Sequence, residues 1–265
     1  PRQRDVAQPP PGDEQFVVSA PLDLGGRKLS VGGPDKGARQ SPAGTPLAKG
    51  SNRMLITSTL SNGTLFIHGD GTLTNDGSAR DITLMAFGTV RNALGATLAL
   101  SSTKPSMVHA DMVNSGTLTL SQPLRITGTL TNRADGSVHL SGAGSLRYAQ
   151  GGTVVNHGTV IAEKAGTDKS RHAIYVASPG GGLATNTGKL VARDGYGIMT
   201  SAGPMGPAPR SDSPSASATR ERVRSLFINR GSIDFTASDR ARSALLVNRH
   251  TGHDLLNDEG GEITV

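Results

Sequence analysis

The chain has 265 residues, a formal net charge of +6, 35 glycines, 15 prolines and neither cysteine nor tryptophan. Its eight aromatics, five Phe and three Tyr, are too few for a spherical core built on large rings, whereas a long, thin core of stacked Val, Leu, Ile and Ala layers needs none. Thiol catalysis is excluded, and no apolar run reaches the roughly 18 residues of a membrane-crossing helix. An absence of cysteine suits both the reducing cytosol and a chain exported unfolded through an oxidising compartment.

Beginning at Pro1 without a methionine, the sequence reads as a processed or excised piece from which any targeting segment is gone. Residues 1–53 form a Pro/Gly-rich N-terminal segment (Pro9-Pro-Pro-Gly12, Gly32-Gly-Pro34, Gly44-Thr-Pro46). Within it, Phe16-Val-Val-Ser and Lys28-Leu-Ser-Val31 are expected to be short strands that cap or precede the main fold.

From residue 54 a repeat takes over: an apolar residue, an asparagine within two positions, a glycine soon after, then small and apolar residues. It runs through Leu60-Ser-Asn62-Gly63, Leu73-Thr-Asn75-Asp-Gly77, Val90-Arg-Asn92 with Gly95, and Val113-Asn114-Ser-Gly116. It continues at Leu130-Thr-Asn132 with Gly136, Val155-Asn156-His-Gly158, Asn186-Thr-Gly188, Ile228-Asn229-Arg-Gly231, and Leu256-Asn257 with Gly260. Asn and Gly tolerate a left-handed backbone best, so each Asn-x-Gly predicts a tight corner. The flanking Gly-Thr-Leu-Thr-Leu segments alternate apolar and polar, as strands with one buried face do. Short strands and tight corners at quasi-regular spacing predict an all-β fold, a right-handed parallel β-helix of irregular coils of about 18 to 30 residues. Asparagines at equivalent corners can stack into a hydrogen-bonded ladder.

The asparagine spacings are 13, 17, 22, 18, 24, 30, 43 and 28. The interval of 13 implies that one of the first two motifs marks a different corner. The interval of 43 holds the Ser/Pro/Arg tract at 201–222, read as a disordered loop inserted into one coil. Ala173-Ile-Tyr-Val176, Gly195-Tyr-Gly-Ile-Met199 and Ala244-Leu-Leu-Val247 are expected to be the second strands of their coils. Between Arg220 and His250, seven arginines face three acids. Arg220, Arg222, Arg224 and Arg230 are the candidate ligand-binding residues, for an anionic partner. No aromatics interleave with them to stack bases, so nucleic acid is not expected.

The coils written Val-Asn-x-Gly-Thr-Val, followed by Ala-Ile-Tyr-Val or Gly-Tyr-Gly-Ile, resemble the passenger β-helix of Gram-negative autotransporters, the pertactin-like group first and filamentous-haemagglutinin-like two-partner adhesins second. The resemblance covers residues 54–265. It implies display at the bacterial surface or secretion, with an outer-membrane β-barrel translocator as the chain's own partner. Host cell-surface proteins, serum proteins or anionic glycans are the ligands it implies. A monomer is expected.

Enzymatic β-helices are the alternative, as polysaccharide lyases, hydrolases or phage tail proteins. They need clustered carboxylates, and Asp70, Asp76 and Asp81 read instead as turn residues among Gly and Asn. Gly252-His-Asp254 only partly echoes a pectin-hydrolase motif. Ser145 has no nucleophile elbow around it. His250, His253 and Asp254 lack the rigid third or fourth ligand of a zinc site. Residues 44–51 carry the letters of a phosphate loop in the wrong order, and Asn62-Gly-Thr64 is a glycosylation sequon that the corner motif already explains. No enzyme activity, metal or cofactor is expected.

Overall fold

Alternation governs the local structure. In Thr129-Leu-Thr-Asn132 the second and fourth residues are buried while the first and third stay half-exposed, and Thr72-Leu-Thr-Asn75 and Thr117-Leu-Thr-Leu120 repeat the pattern. A strand with this pattern has one apolar face and must lay it on others like it. A computed structural model of the protein describes residues 15–32, 52–101, 104–163, 172–177, 181–193, 196–201, 225–235 and 253–264. Every strand pairing in it is parallel, and the described residues contain no helix.

The strands wind into coils. The first is β1 (Gln15–Val18), β2 (Leu22–Asp23) and β3 (Lys28–Val31). The next two each use one short and one long strand: β4 (Arg53–Ile56) with β5 (Thr59–Ile67), then β6 (Thr72–Asn75) with β7 (Ser78–Ala86). Three-strand coils follow: β8 (Thr89–Asn92), β9 (Thr97–Leu100), β10 (Ser106–Val108); β11 (Asp111–Asn114), β12 (Thr117–Leu120), β13 (Pro123–Ile126); and β14 (Thr129–Asn132), β15 (Ser137–Leu140), β16 (Ser145–Tyr148). Then come β17 (Gly152–Asn156), β18 (Thr159–Ala162), β19 (His172–Ala177), and β20 (Gly182–Asn186), β21 (Lys189–Ala192), β22 (Tyr196–Ser201). The last two coils show β23 (Ser225–Asn229) with β24 (Ser232–Asp234), and β25 (His253–Asn257) with β26 (Glu262–Thr264).

Three faces result. The first strands of all coils form one sheet of ten strands, from β1 to β25. The second and third strands form two further faces, merged into a sheet of 16 strands because β5 and β7 run across both. The protein is a parallel β-helix. Inside, residues stack by register. Leu73, Val90, Met112, Leu130, Val154, Ala184 and Phe227 make one column, and Leu98, Leu118, Val138, Val160, Leu190 and Ile233 another, all essentially fully buried. Each buried Leu or Val contributes roughly 1.5–3 kcal/mol, so the core is assembled from many small layers, joined in the later coils by the buried rings of Tyr148, Tyr175 and Phe227, the last two with centroids 5.2 Å apart.

The fold revises four local expectations. A boundary at 53/54 would cut β4, and the helix already includes β1 to β3, whose Val18, Leu24, Leu29 and Val31 belong to the core. Asn62 does have the left-handed backbone of a corner (φ 57°), but it is exposed within β5, and Ile56 fills the stacking position in that coil. The strands holding Ala173–Val176 and Tyr196–Met199 lie on the third face, behind β18 and β21; residues 244–247 lie outside the described residues. The glycines of Asn-x-Gly serve mostly another purpose. Gly116, Gly158, Gly188 and Gly231 are not left-handed, and a Cβ on each would meet a carbonyl oxygen of the previous coil at 2.3, 2.2, 2.0 and 2.1 Å. They are glycines because the turns stack backbone on backbone.

Candidate functional site

Two polar systems distinguish this solenoid, one inside and one outside. Inside, the first-face strands from β6 onward end in Asn75, Asn92, Asn114, Asn132, Asn156, Asn186, Asn229 and Asn257, held in register. All but Asn257 are buried. From Asn75 to Asn229, each Nδ2 donates to Oδ1 of the asparagine in the next coil at 2.7–2.8 Å. The same Nδ2 faces turn carbonyls, such as Thr97 O at 2.8 Å for Asn75 and Thr117 O at 3.0 Å for Asn92. Only an amide nitrogen satisfies that environment, which fixes the direction of the ladder. Seven of the nine proposed corner asparagines therefore point into the core at strand ends instead of turning the chain, and Asn257 continues their column at its exposed end. Their work is structural.

Outside, on the third face and the turn after it, two adjacent rows carry unusual side chains. Phe66, Met85, Met107, Arg125 and Arg147 follow one another in register. Two positions further along each of the first four strands, His68, Phe87, His109 and Thr127 form the second row, each backbone N–H donating to the coil before it. Phe87 is 44% exposed. It stacks on His109 with centroids 4.4 Å apart and planes 10° apart, and Phe66 lies 5.6 Å from Phe87 and 4.6 Å from His68. Lys28 Nζ sits 3.8 Å above the Phe66 ring, a cation–π contact. His109 Nδ1 is 2.7 Å from Thr127 Oγ1. Partial burial, and after it the charge of Arg125, holds the His109 imidazole below its ordinary 6.5. Neither row contains an acid. Asp70 and Asp111 flank them on the side of the turn leading to the first face.

A family model described as the BigA fourth domain matches residues 56–265. The chain belongs to the BigA fourth-domain family. BigA is an autotransporter-like adhesin, so the family places the chain with bacterial surface proteins of the adhesin type. No curated protein and no solved structure matches it.

In this BigA-type domain the arginine cluster is only partly visible. Arg220, Arg222 and Arg224 lie outside the described residues, as do 202–222 of the Ser/Pro/Arg tract. Arg230 is engaged: its Nε donates to Asp258 Oδ2 at 2.7 Å across two coils. That hydrogen bond, with the Glu259 N–H, holds the Asp258 carboxyl below the usual aspartate range. Asp70, Asp76 and Asp81 are exposed in separate stretches, and Asp81 accepts from Ser101 Oγ at 2.6 Å. His250 lies outside the described residues, and among those described no three His, Asp or Glu side chains converge as a metal site would require. His157, beside a ladder asparagine, is exposed with Nδ1 2.7 Å from Thr187 Oγ1.

The outer strip was missed in the sequence, though a signal for it exists. Phe66-Ile-His68, Met85-Ala-Phe87 and Met107-Val-His109 are one triplet, large–aliphatic–ring, recurring at the coil period.

Proposed function

We propose that the chain is a non-enzymatic, surface-displayed passenger segment of the autotransporter type that acts as an adhesin, holding binding surfaces on a rigid β-helical rod. The observation that carries this reading is the division of labour in each coil. Inward residues are committed to aliphatic columns and to the asparagine ladder, while outward rows and turns remain free to vary without disturbing the core. A pertactin-like relationship, a following outer-membrane barrel, and a monomeric rod that binds host surface or serum proteins or anionic glycans belong to the same proposal. The test is binding of the intact chain to host cells and immobilised serum proteins, repeated at raised salt. Saturable binding supports the adhesin; its absence at every salt concentration overturns that part and leaves a spacer.

A further inference from the structure

We propose that the outer strip formed by Phe66, Phe87, His109, Arg125 and Arg147 is a docking track for an acidic polysaccharide, a chain of sugar rings bearing carboxylate or sulfate groups. This deepens the adhesin reading and rests on it.

The chemistry begins with the rings. Solvent-facing aromatics cost burial that the core could use, and this chain has only eight to place. Phe66, Phe87, His68 and His109 are nevertheless collected on one outer corner over successive coils. Phe87 and His109 stack face to face, the Phe66–His68 and Phe66–Phe87 contacts are tilted, and Lys28 covers one face of Phe66. With the Phe87–His109 and Lys28–Phe66 contacts occupying ring faces, ring edge, the positive rim of the aromatic quadrupole, is what these rings keep for a ligand. Bases and neutral sugars bind aromatic faces, so nucleic acid is disfavoured here. Anionic oxygens suit ring edges.

Charge agrees with this. Arg125 and Arg147 are exposed and continue the Phe66 row, and neither forms an ion pair with a described residue. Lys28 adds a third cation at the other end. Asp70 and Asp111 stand at the flank, outside both rows. Spacing selects a polymer. Successive coils offer an equivalent outward position every ~4.8 Å along the axis, so a ligand that repeats its acidic groups along an extended chain meets one row after another. A compact anion would bridge at most the adjacent Arg125 and Arg147.

The experiment compares immobilised heparin, polygalacturonate and neutral dextran as ligands for the intact chain, with salt raised stepwise. The wild type is expected to bind both acidic polymers and to lose them as salt screens the contact, with no binding to dextran. Arg125→Glu with Arg147→Glu is expected to weaken binding about tenfold or more, and Phe87→Ala by several-fold. Arg133→Glu, on an exposed turn away from the strip, is the control and should bind like wild type. Circular dichroism and melting confirm that every variant is folded. Equal binding to dextran, no binding to either acidic polymer, or equal weakening by Arg133→Glu overturns the track. Host-cell binding measured with the same variants separates the two readings. Cell binding and acidic-glycan binding that both survive the strip variants discard the track and keep the adhesin; glycan binding without cell binding does the reverse.

Discussion

Asn75 gives its amide hydrogen to Oδ1 of Asn92 at 2.7 Å, while its own Oδ1, equally buried, accepts from nothing. The position behind it in register is Ile56, which has no donor. The ladder thus starts with one orphaned acceptor, and this asymmetry separates two otherwise similar substitutions. Asn132→Ala removes the donor to Asn156 Oδ1 and creates a new buried orphan. Asn75→Ala orphans Asn92 Oδ1 but removes the orphan at Asn75, leaving the number unchanged. A buried unsatisfied acceptor costs about 1–3 kcal/mol. Asn132→Ala is therefore expected to be less stable than Asn75→Ala by about that amount in urea melts. Equal losses would show that the amide–amide bonds are not what the ladder contributes.

Turn glycines should divide by proximity. Gly188→Ala places a Cβ 2.0 Å from the Gly158 oxygen and 2.6 and 2.7 Å from the His157 carbonyl carbon and oxygen, all backbone of the coil before it. Relief requires the coils to separate, and a loss on the order of 3 kcal/mol is expected. Gly69→Ala meets nothing within 4 Å and has no left-handed φ, so its change should stay within about 0.5 kcal/mol. Thermal melts of the two variants make the comparison.

His109 should titrate below 6.5, chiefly from burial and secondarily from Arg125. Arg125→Ala is expected to move its midpoint upward without restoring 6.5, because burial remains. The folded chain disfavours protonated His109, so this contribution is full above 6.5 and is lost as pH falls through that value toward the lower folded one. Histidine NMR titrations of wild type and variant read both effects.

The Arg230–Asp258 pair lies at the surface, where ion pairs add little. Its trace should be in titration instead. The Asp258 carboxyl, held down first by the Arg230 hydrogen bond, titrates below 3.8, and Arg230→Ala raises it. Any stability from the pair is present above 3.8 and is lost as pH falls through the depressed value. A carboxyl that does not move in the variant would remove the hydrogen bond as the cause.

The coil architecture was legible because one stacked position must be refilled in every layer by the same side chain. Asn114, Asn132 and Asn156 recur for that reason. Asn62 misled because the local words Asn-Gly describe a left-handed turn and an inward strand end equally well; only the register of β4 and β6, which puts Ile56 against Asn75, separates them. The role of Gly188 was hidden for a similar reason, since the carbonyl it approaches is 30 residues earlier, in Gly158. Phe87 and His109 become neighbours only when the coil between them is closed. Their recurrence was visible, but an outward row answers to no core and shows no alternation of its own.

The asparagine column has a direction. All its amide dipoles point the same way along the rod, so each polarises the next and the column carries a sign at either end. Every layer of the column nevertheless presents one acceptor behind and one donor ahead, from Asn75 onward, whether its coil spans 18 residues, as from Asn114 to Asn132, or 43, as from Asn186 to Asn229. Neighbours in the stack register only that interface and not the length of the excursion. A coil is thus an interchangeable cartridge: it can lengthen, acquire a loop or be duplicated whole, and the rod grows without renegotiating its interior.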